Sequence, residues 1–106
     1  MNKQEYLKQL AKVKEHLVNY TQTIKPEADR GSIRLMYSII TQAAYDLRHG
    51  NDKESNSASD YFKSTGFSDL CSLLCIKTSV VLAIAIDVNK YNIAELSENE
   101  DDESYF

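Results

Sequence analysis

Six apolar residues near the start of the chain, Tyr6, Leu10, Val13, Leu17, Tyr20 and Ile24, stand four, three, four, three and four positions apart. That rhythm is a helical seam, with apolar groups at the a and d positions of a heptad. Lys3, Glu5, Lys8, Gln9, Lys12, Lys14, Glu15 and Asn19 fill the other faces. A helix over 2–24 with one apolar stripe has to bury that stripe, and two readings are open. Either it docks on the core of its own domain, or Tyr6, Leu10, Val13, Leu17 and Tyr20 form a seam shared with a second copy in a homodimer. The repeat is shorter than the ~3–4 heptads that mark a coiled coil, which favours the first reading.

Turn residues are scarce. Three Gly and one Pro in 106 residues are too few for a many-stranded sandwich or barrel. The length suits one domain with a single modest core, expected over 1–96. Pro26 fits a first helical position, with Glu27 and Asp29 in the first turn, where the helix dipole favours acids. Gly31 and Ser32 interrupt that signal, so a second helix is expected to begin between 26 and 32. It then runs to about His49 through Leu35, Met36, Ile39, Ile40, Ala43 and Leu47. Gly50 suits its C-cap, and Arg48 and His49 sit well in its last turn.

Residues 50–59, GNDKESNSAS, read as a polar loop. Ser57 or Ser59 is expected to cap a short third helix around Tyr61 and Phe62, ending before Gly66. Phe67, Leu70, Cys71 and Leu74 then fall at i, i+3, i+4 and i+7, the stripe of a fourth helix. A fifth, capped by Thr78 or Ser79, is expected over 80–90. There Leu82, Ile84, Ile86 and Val88 alternate as a strand would, while Val81, Ile84, Ala85 and Val88 fit a helix. A lone strand would have no pairing partner, so helix is the better reading. The fold class is all-α: a compact bundle of four or five helices whose second half is helix-turn-helix-like. The tail 97–106 has too few apolar groups to offset the entropy of ordering it, and is expected to be flexible.

The net charge of −4 is unevenly spread. Residues 1–34 hold seven Lys and Arg against four acids, residues 35–86 four against five, and residues 87–106 one against seven. Net acidity argues against broad nonspecific nucleic-acid binding, which relies on cations neutralising phosphates. No basic n-region precedes an apolar stretch at the N-terminus, so no signal peptide is expected. The longest apolar run, over 80–86, is far below the ~20 residues that span a bilayer. A cytoplasmic protein without membrane association is expected, and the sequon Asn19-Tyr20-Thr21 is then accidental.

Catalytic machinery is not legible. There is no Gly-rich phosphate loop, no GxSxG elbow and no HExxH. Cys71 and Cys75 are neither a CxxC pair nor part of a zinc-ligand set. They are expected one turn apart on a helix as small buried hydrophobes. His16 and His49 are far apart in sequence. No catalytic residue, metal ligand or cofactor is expected, and the chain is not read as an enzyme.

The tandem of short helices raises DNA binding, with Lys77, Thr78 and Ser79 as the contacts. Against it, the candidate recognition helix, SVVLAIAI over 79–86, carries no Arg, Lys, Asn or Gln to reach base edges. Cys75 stands where such turns often hold Gly. The acidic tail is the remaining candidate. Glu98, Glu100, Asp101, Asp102 and Glu103 could steer a basic partner, and Tyr105 and Phe106 could anchor in its pocket.

Residues 43–48, AAYDLR, are followed by a polar stretch and then Ala58, Tyr61-Phe62, Ser64, Phe67, Leu70-Cys71, Leu74 and Ile76. This order resembles small uncharacterised helical proteins common in phages and prophages. These share a segment ending in Asp-Leu-Arg, an aromatic-x-x-Ser, and Phe-x-x-Leu-Cys-x-x-Leu-x-Ile/Leu. The resemblance covers roughly residues 33–88 and departs at Cys75, where the family usually has Gly, and at the very apolar 80–86. It brings no catalytic residues. By analogy with small phage proteins, it implies a protein that occupies a host machine: a defence nuclease, a CRISPR or restriction effector, or a polymerase. The leading expectation is therefore a non-enzymatic binding protein in the host bacterial cytoplasm, which inhibits or modulates a nucleic-acid-handling complex. Its contacts would be the acidic tail and the charged faces of the first helix. A helix-turn-helix transcriptional regulator is the alternative, and a homodimer whose assembly is the function is a third.

Overall fold

A computed structural model describes residues 2–86. Among them the chain forms five helices and no strand: α1 (Lys3–Ile24), α2 (Arg30–His49), α3 (Asp52–Phe62), α4 (Thr65–Leu73) and α5 (Thr78–Ile86). The all-α expectation holds, and residues 79–86 are helical. Val81, Ile84 and Ala85, the helical choice at i, i+3 and i+4, are the buried residues of α5. The expected continuation of this helix to residue 90 and the acidic tail lie outside the described residues.

Helices α1 and α2 run antiparallel, with Tyr6 beside Ala44 at one end and Thr21 beside Tyr37 further along. The seam Tyr6, Leu10, Val13 and Leu17 is buried within the chain's own core, not held free for a second copy. Beyond Leu17 the heptad fails. Val18 and Thr21 are buried, whereas Tyr20 is only half-buried and Ile24 is exposed. The eighteen residues from Tyr6 to Ile24 make about five full turns, so Ile24 returns to the azimuth of Tyr6. Thr21 is the buried position there because the α4–α5 turn packs on its side of α1, with the Thr21 hydroxyl on the Leu74 carbonyl.

The core is completed by Ile33, Tyr37, Ile40 and Ala44 from α2, Phe67, Cys71 and Leu74 from the α4 segment, Ile76, and the buried face of α5. Helix α2 starts at Arg30, inside the expected interval. Its N-cap is Asp29, whose side chain accepts from the Ser32 N–H. Pro26 lies in the preceding turn and not at the first helical position.

The expected polar loop at 50–59 is instead most of α3. The Asn51 side chain accepts from the Glu54 N–H, and Glu54 reaches back to the Asn51 N–H, so a capping box starts the helix. Asp52 and Glu54 also suit the positive end of the helix dipole. Ala58 is the only buried residue of this helix. Gly50 makes the abrupt α2–α3 junction possible. A Cβ there would lie 2.5 Å from the Asp46 carbonyl oxygen and 2.8 Å from the Glu54 Cβ.

Two smaller boundaries also differ from the sequence reading. Ser64, not Gly66, marks the start of α4: its hydroxyl accepts from the Phe67 N–H, and Gly66 is already helical. Neither Thr78 nor Ser79 caps α5, because the Lys77 carbonyl accepts from the Val80 and Val81 N–H groups before the helix begins at Thr78.

Candidate interaction surfaces

The α4–α5 turn gathers polar contacts from three helices. Leu74 ends α4, and Cys75 follows with φ of 59°, in the left-handed region where non-glycine residues are uncommon. The Ile76 N–H returns to the Cys71 carbonyl and the Cys75 N–H to the Ser72 carbonyl, which is a complete Schellman closure. Cys75 is therefore half-buried in the turn, not on the helix as its spacing from Cys71 suggested. Cys71 is buried, and burial pushes its thiol up to about 11. Both are free thiols.

The last three carbonyls of this turn are each met by a side chain from the end of α1. Lys25 Nζ donates to the Leu73 carbonyl at 2.7 Å, Thr21 Oγ1 to Leu74 at 2.8 Å, and Tyr20 OH to Cys75 at 3.1 Å. Thr21 has one hydroxyl proton and gives it to Leu74, so in the 2.7 Å contact with Tyr37 the tyrosine donates. The relay Tyr37, Thr21, Leu74 joins α2, α1 and α4 through a buried point. Lys25 also places a cation at the negative end of α4.

The chain turns by 111° between α4 and α5, within the range of helix-turn-helix units. Lys77, Thr78 and Ser79 do come together at the start of α5, with Lys77 and Ser79 exposed and Thr78 half-buried. The outward residues further along α5 are Ala83 and Ile86, flanked by the partly buried Leu82. None of them can read a base edge by hydrogen bonding.

The α1–α2 face differs in character. Arg34 donates to both oxygens of Glu15, at 3.0 and 2.9 Å, and Arg30 stands 3.9 Å from the same carboxylate. Hydrogen bonding from Arg34 holds the Glu15 carboxyl below its ordinary range, and the Glu15 acceptor raises Arg34 in turn. Toward the start of α1 the two helices part into a groove of about 210 Å³, with Leu7, Leu10 and Ala11 on one side and Ser38, Gln42 and Tyr45 on the other. Lys14 lines it too, at 3.5 Å from the Ser38 hydroxyl. At its lower end Tyr6, Tyr45 and His49 form an aromatic cluster, with Tyr6 and His49 edge to face at 4.8 Å and the Arg48 guanidinium 5.9 Å from the Tyr6 ring centre.

Large apolar side chains are exposed on both helices. Leu7 on α1 and Ile39 on α2 are each 49% exposed, and Leu35, one turn before Ile39, is 65% exposed. Leu35 and Ile39 form an outward i, i+4 pair on α2. Sequence periodicity places them in the second helix without separating them from its core face.

Among the described residues no group of three or more His, Cys, Asp or Glu side chains could hold a metal. No single described helix is long and apolar enough to cross a membrane. One buried hydroxyl, that of Tyr61, has no hydrogen-bond partner. It lies in the aromatic cluster with Phe62 and Phe67, and burial, with Cys71 adding to it, raises its pKa. The sequence-designated tail residues Glu98, Glu100, Asp101, Asp102, Glu103, Tyr105 and Phe106 lie outside the described residues. The chain matches no protein-family model, no curated protein and no solved structure.

Proposed function

We propose that this chain is a small non-enzymatic binding protein of phage type that docks on a host nucleic-acid-handling protein complex and inhibits or modulates it. The observation that carries the reading is the exposed apolar surface of α1 and α2, Leu7, Leu35 and Ile39. Leu35 and Ile39 make an outward apolar pair on α2, and exposed large apolar side chains of this kind are a feature of docking surfaces. The buried polar groups, by contrast, serve structure: Thr21, Tyr37 and Tyr6 spend their hydroxyls on helix contacts. The lysines of α1 and the acidic composition of residues 87–106 supply charges of opposite sign, suited to steering a partner.

The test is capture from a bacterial lysate at low salt, with nuclease treatment and mass-spectrometric identification of what stays bound. A stoichiometric nuclease or polymerase subunit, lost when Leu35 and Ile39 are both replaced by Ser, is the expected result. Retention of nuclease-sensitive DNA without a protein would overturn it.

That second outcome would favour a helix-turn-helix regulator. The 111° turn and the left-handed Cys75 support this alternative, and the apolar outer side of α5 weighs against it. A Lys77→Glu variant should then lose duplex retardation at low salt.

A further inference from the structure

Helices α1 and α2 together present a cationic surface on a chain whose net charge is −4. Between them they hold four lysines and three arginines against three acids, Glu5, Glu15 and Asp46. Each of those acids is already engaged. Glu5 accepts from the Asn2 amide at the start of α1, Glu15 from Arg34, and Asp46 from the Gln42 amide. Lys3, Lys8 and Lys12 are exposed and make no ion pair among the described residues. Lys14 reaches the Ser38 hydroxyl and attracts Glu15 only from a distance. Positive charge on α1 is thus left without a partner.

The apolar groove opens among these lysines. Leu7, one turn after Lys3 and next to Lys8, lines it together with Leu10, Ala11 and Lys14. At about 210 Å³ the groove falls below the ~300–1,000 Å³ of small-molecule and cofactor sites. It exceeds the ~150 Å³ that encloses a benzene ring, so it has room for one large apolar side chain. The Lys14–Ser38 contact sets the register of α1 against α2. Ile39, next to Ser38, therefore lies about two turns along from Leu7, roughly 10 Å at ~1.5 Å per residue, and Leu35 follows one turn further. A partner spanning these points needs apolar groups that repeat over about three helical turns. Among the described residues there is no strand, and so no sheet edge to extend, which leaves side chains to hold the partner. A second copy is a poor occupant, because a two-fold pairing of this face sets its lysines against each other.

We propose that the α1–α2 groove binds an acidic amphipathic helix of a partner protein. One large apolar side chain of that helix enters the groove on Leu7, Leu10 and Ala11, and others two to three turns along cover Ile39 and Leu35. Its carboxylates stand beside Lys3, Lys8 and Lys12. The inference names the partner chemistry of the docking surface proposed above and rests on that reading.

The test selects binders of the 106-residue chain from a displayed random library of peptides about 16 residues long, ~24 Å as a helix. Enriched peptides should carry apolar residues at i, i+3 or i+4 and i+7, with Asp and Glu between them, and should become helical by circular dichroism when bound. Added to isotope-labelled protein, a selected peptide should shift the Leu7, Ala11, Ser38 and Gln42 amides by NMR and leave Ser57 on α3 in place. Affinity should fall about tenfold or more in Lys8→Glu/Lys12→Glu, and recover with a peptide whose facing acids are changed to Lys. It should fall likewise in Ala11→Arg, which fills the groove from an exposed position. It should also fall at about 1 M salt, where the Debye length is about 3 Å. No enrichment over the Ala11→Arg variant, or enrichment of peptides lacking acids or helical spacing, would overturn the proposal. So would tighter binding of a single-stranded oligonucleotide at the same amides, which makes nucleic-acid phosphate the ligand. Shifts of those amides on dilution alone would overturn it too, by making a second copy the occupant. A captured host protein that depends on Leu35 and Ile39, yet is not displaced by the peptide, would refute the acidic helix and leave the docking surface standing.

Discussion

Replacing Thr21 by Val tests the joint that sets the angle between the two halves of the molecule. The substitution keeps the side chain's shape and removes only the hydroxyl that donates to Leu74 and accepts from Tyr37. Thr21 and Leu74 are each 1% exposed, so water cannot replace the lost partner without opening the core. A net hydrogen bond contributes ~1 kcal/mol, and stranding a buried carbonyl costs a further ~1–3 kcal/mol. The expected loss is therefore about 2–4 kcal/mol, a large share of the ~5–15 kcal/mol that holds a domain of this kind together. Thr21→Ser keeps the relay and loses one methyl group, at about 1 kcal/mol. Urea unfolding followed by circular dichroism measures both. A Thr21→Val protein within about 0.5 kcal/mol of the parent, or a Ser variant less stable than the Val variant, would refute the reasoning.

Four further outcomes follow from the same contacts. Tyr61→Phe, which removes an unpartnered buried hydroxyl, should be neutral or stabilising by up to ~1 kcal/mol, whereas Tyr6→Phe, which loses the bond to the Ala44 carbonyl, should cost about 1 kcal/mol in the same unfolding assay. Cys75→Gly should raise stability by about 1 kcal/mol because glycine adopts the left-handed conformation without strain, and Cys75→Val should lower it. The Cys71 thiol is neutral in the fold up to about 11 and ionises earlier once unfolded, so stability should fall as pH rises from the ordinary thiol range toward that value, and a Cys71→Ala variant should lack this component of the alkaline slope. The Glu15 carboxyl is held low by Arg34, so its contribution is present above the ordinary carboxylate pKa and is lost as pH falls through the lowered one. Acid titration of stability should accordingly be shallower in Glu15→Gln.

The parts of the fold legible in the sequence are those built on apolar periodicity. The stripe of α1, the face of α4 and the Val81, Ile84, Ala85 set of α5 could all be read from spacing. Helix α3 could not, because it buries little beyond Ala58 and its polar sequence resembles a loop. The signal was present in another form: Asn51 and Glu54 have the spacing of a capping box. Thr21 was missed for a different reason. It is polar and off the heptad, and its importance comes from carbonyls fifty-three residues away, a relation that helical spacing does not encode. Cys75 shows the converse limit, since its spacing from Cys71 fits a helix, and only the comparison with helix-turn-helix units, which often hold Gly there, pointed to a turn. The exposed pair Leu35 and Ile39 looked like core from composition alone. Only the placement of α1 and α5 around α2 leaves it outside.

The central claim, that α1 and α2 present a docking surface for a protein partner, is tested most directly by titration calorimetry of the captured target with the 106-residue chain and its Leu35→Ser/Ile39→Ser variant. Burial of a Leu or Ile side chain contributes about 1.5–3 kcal/mol, so removing both should weaken binding by at least about tenfold with the thermal unfolding midpoint unchanged. Equal affinity for parent and variant, at matched stability and salt, would contradict the account.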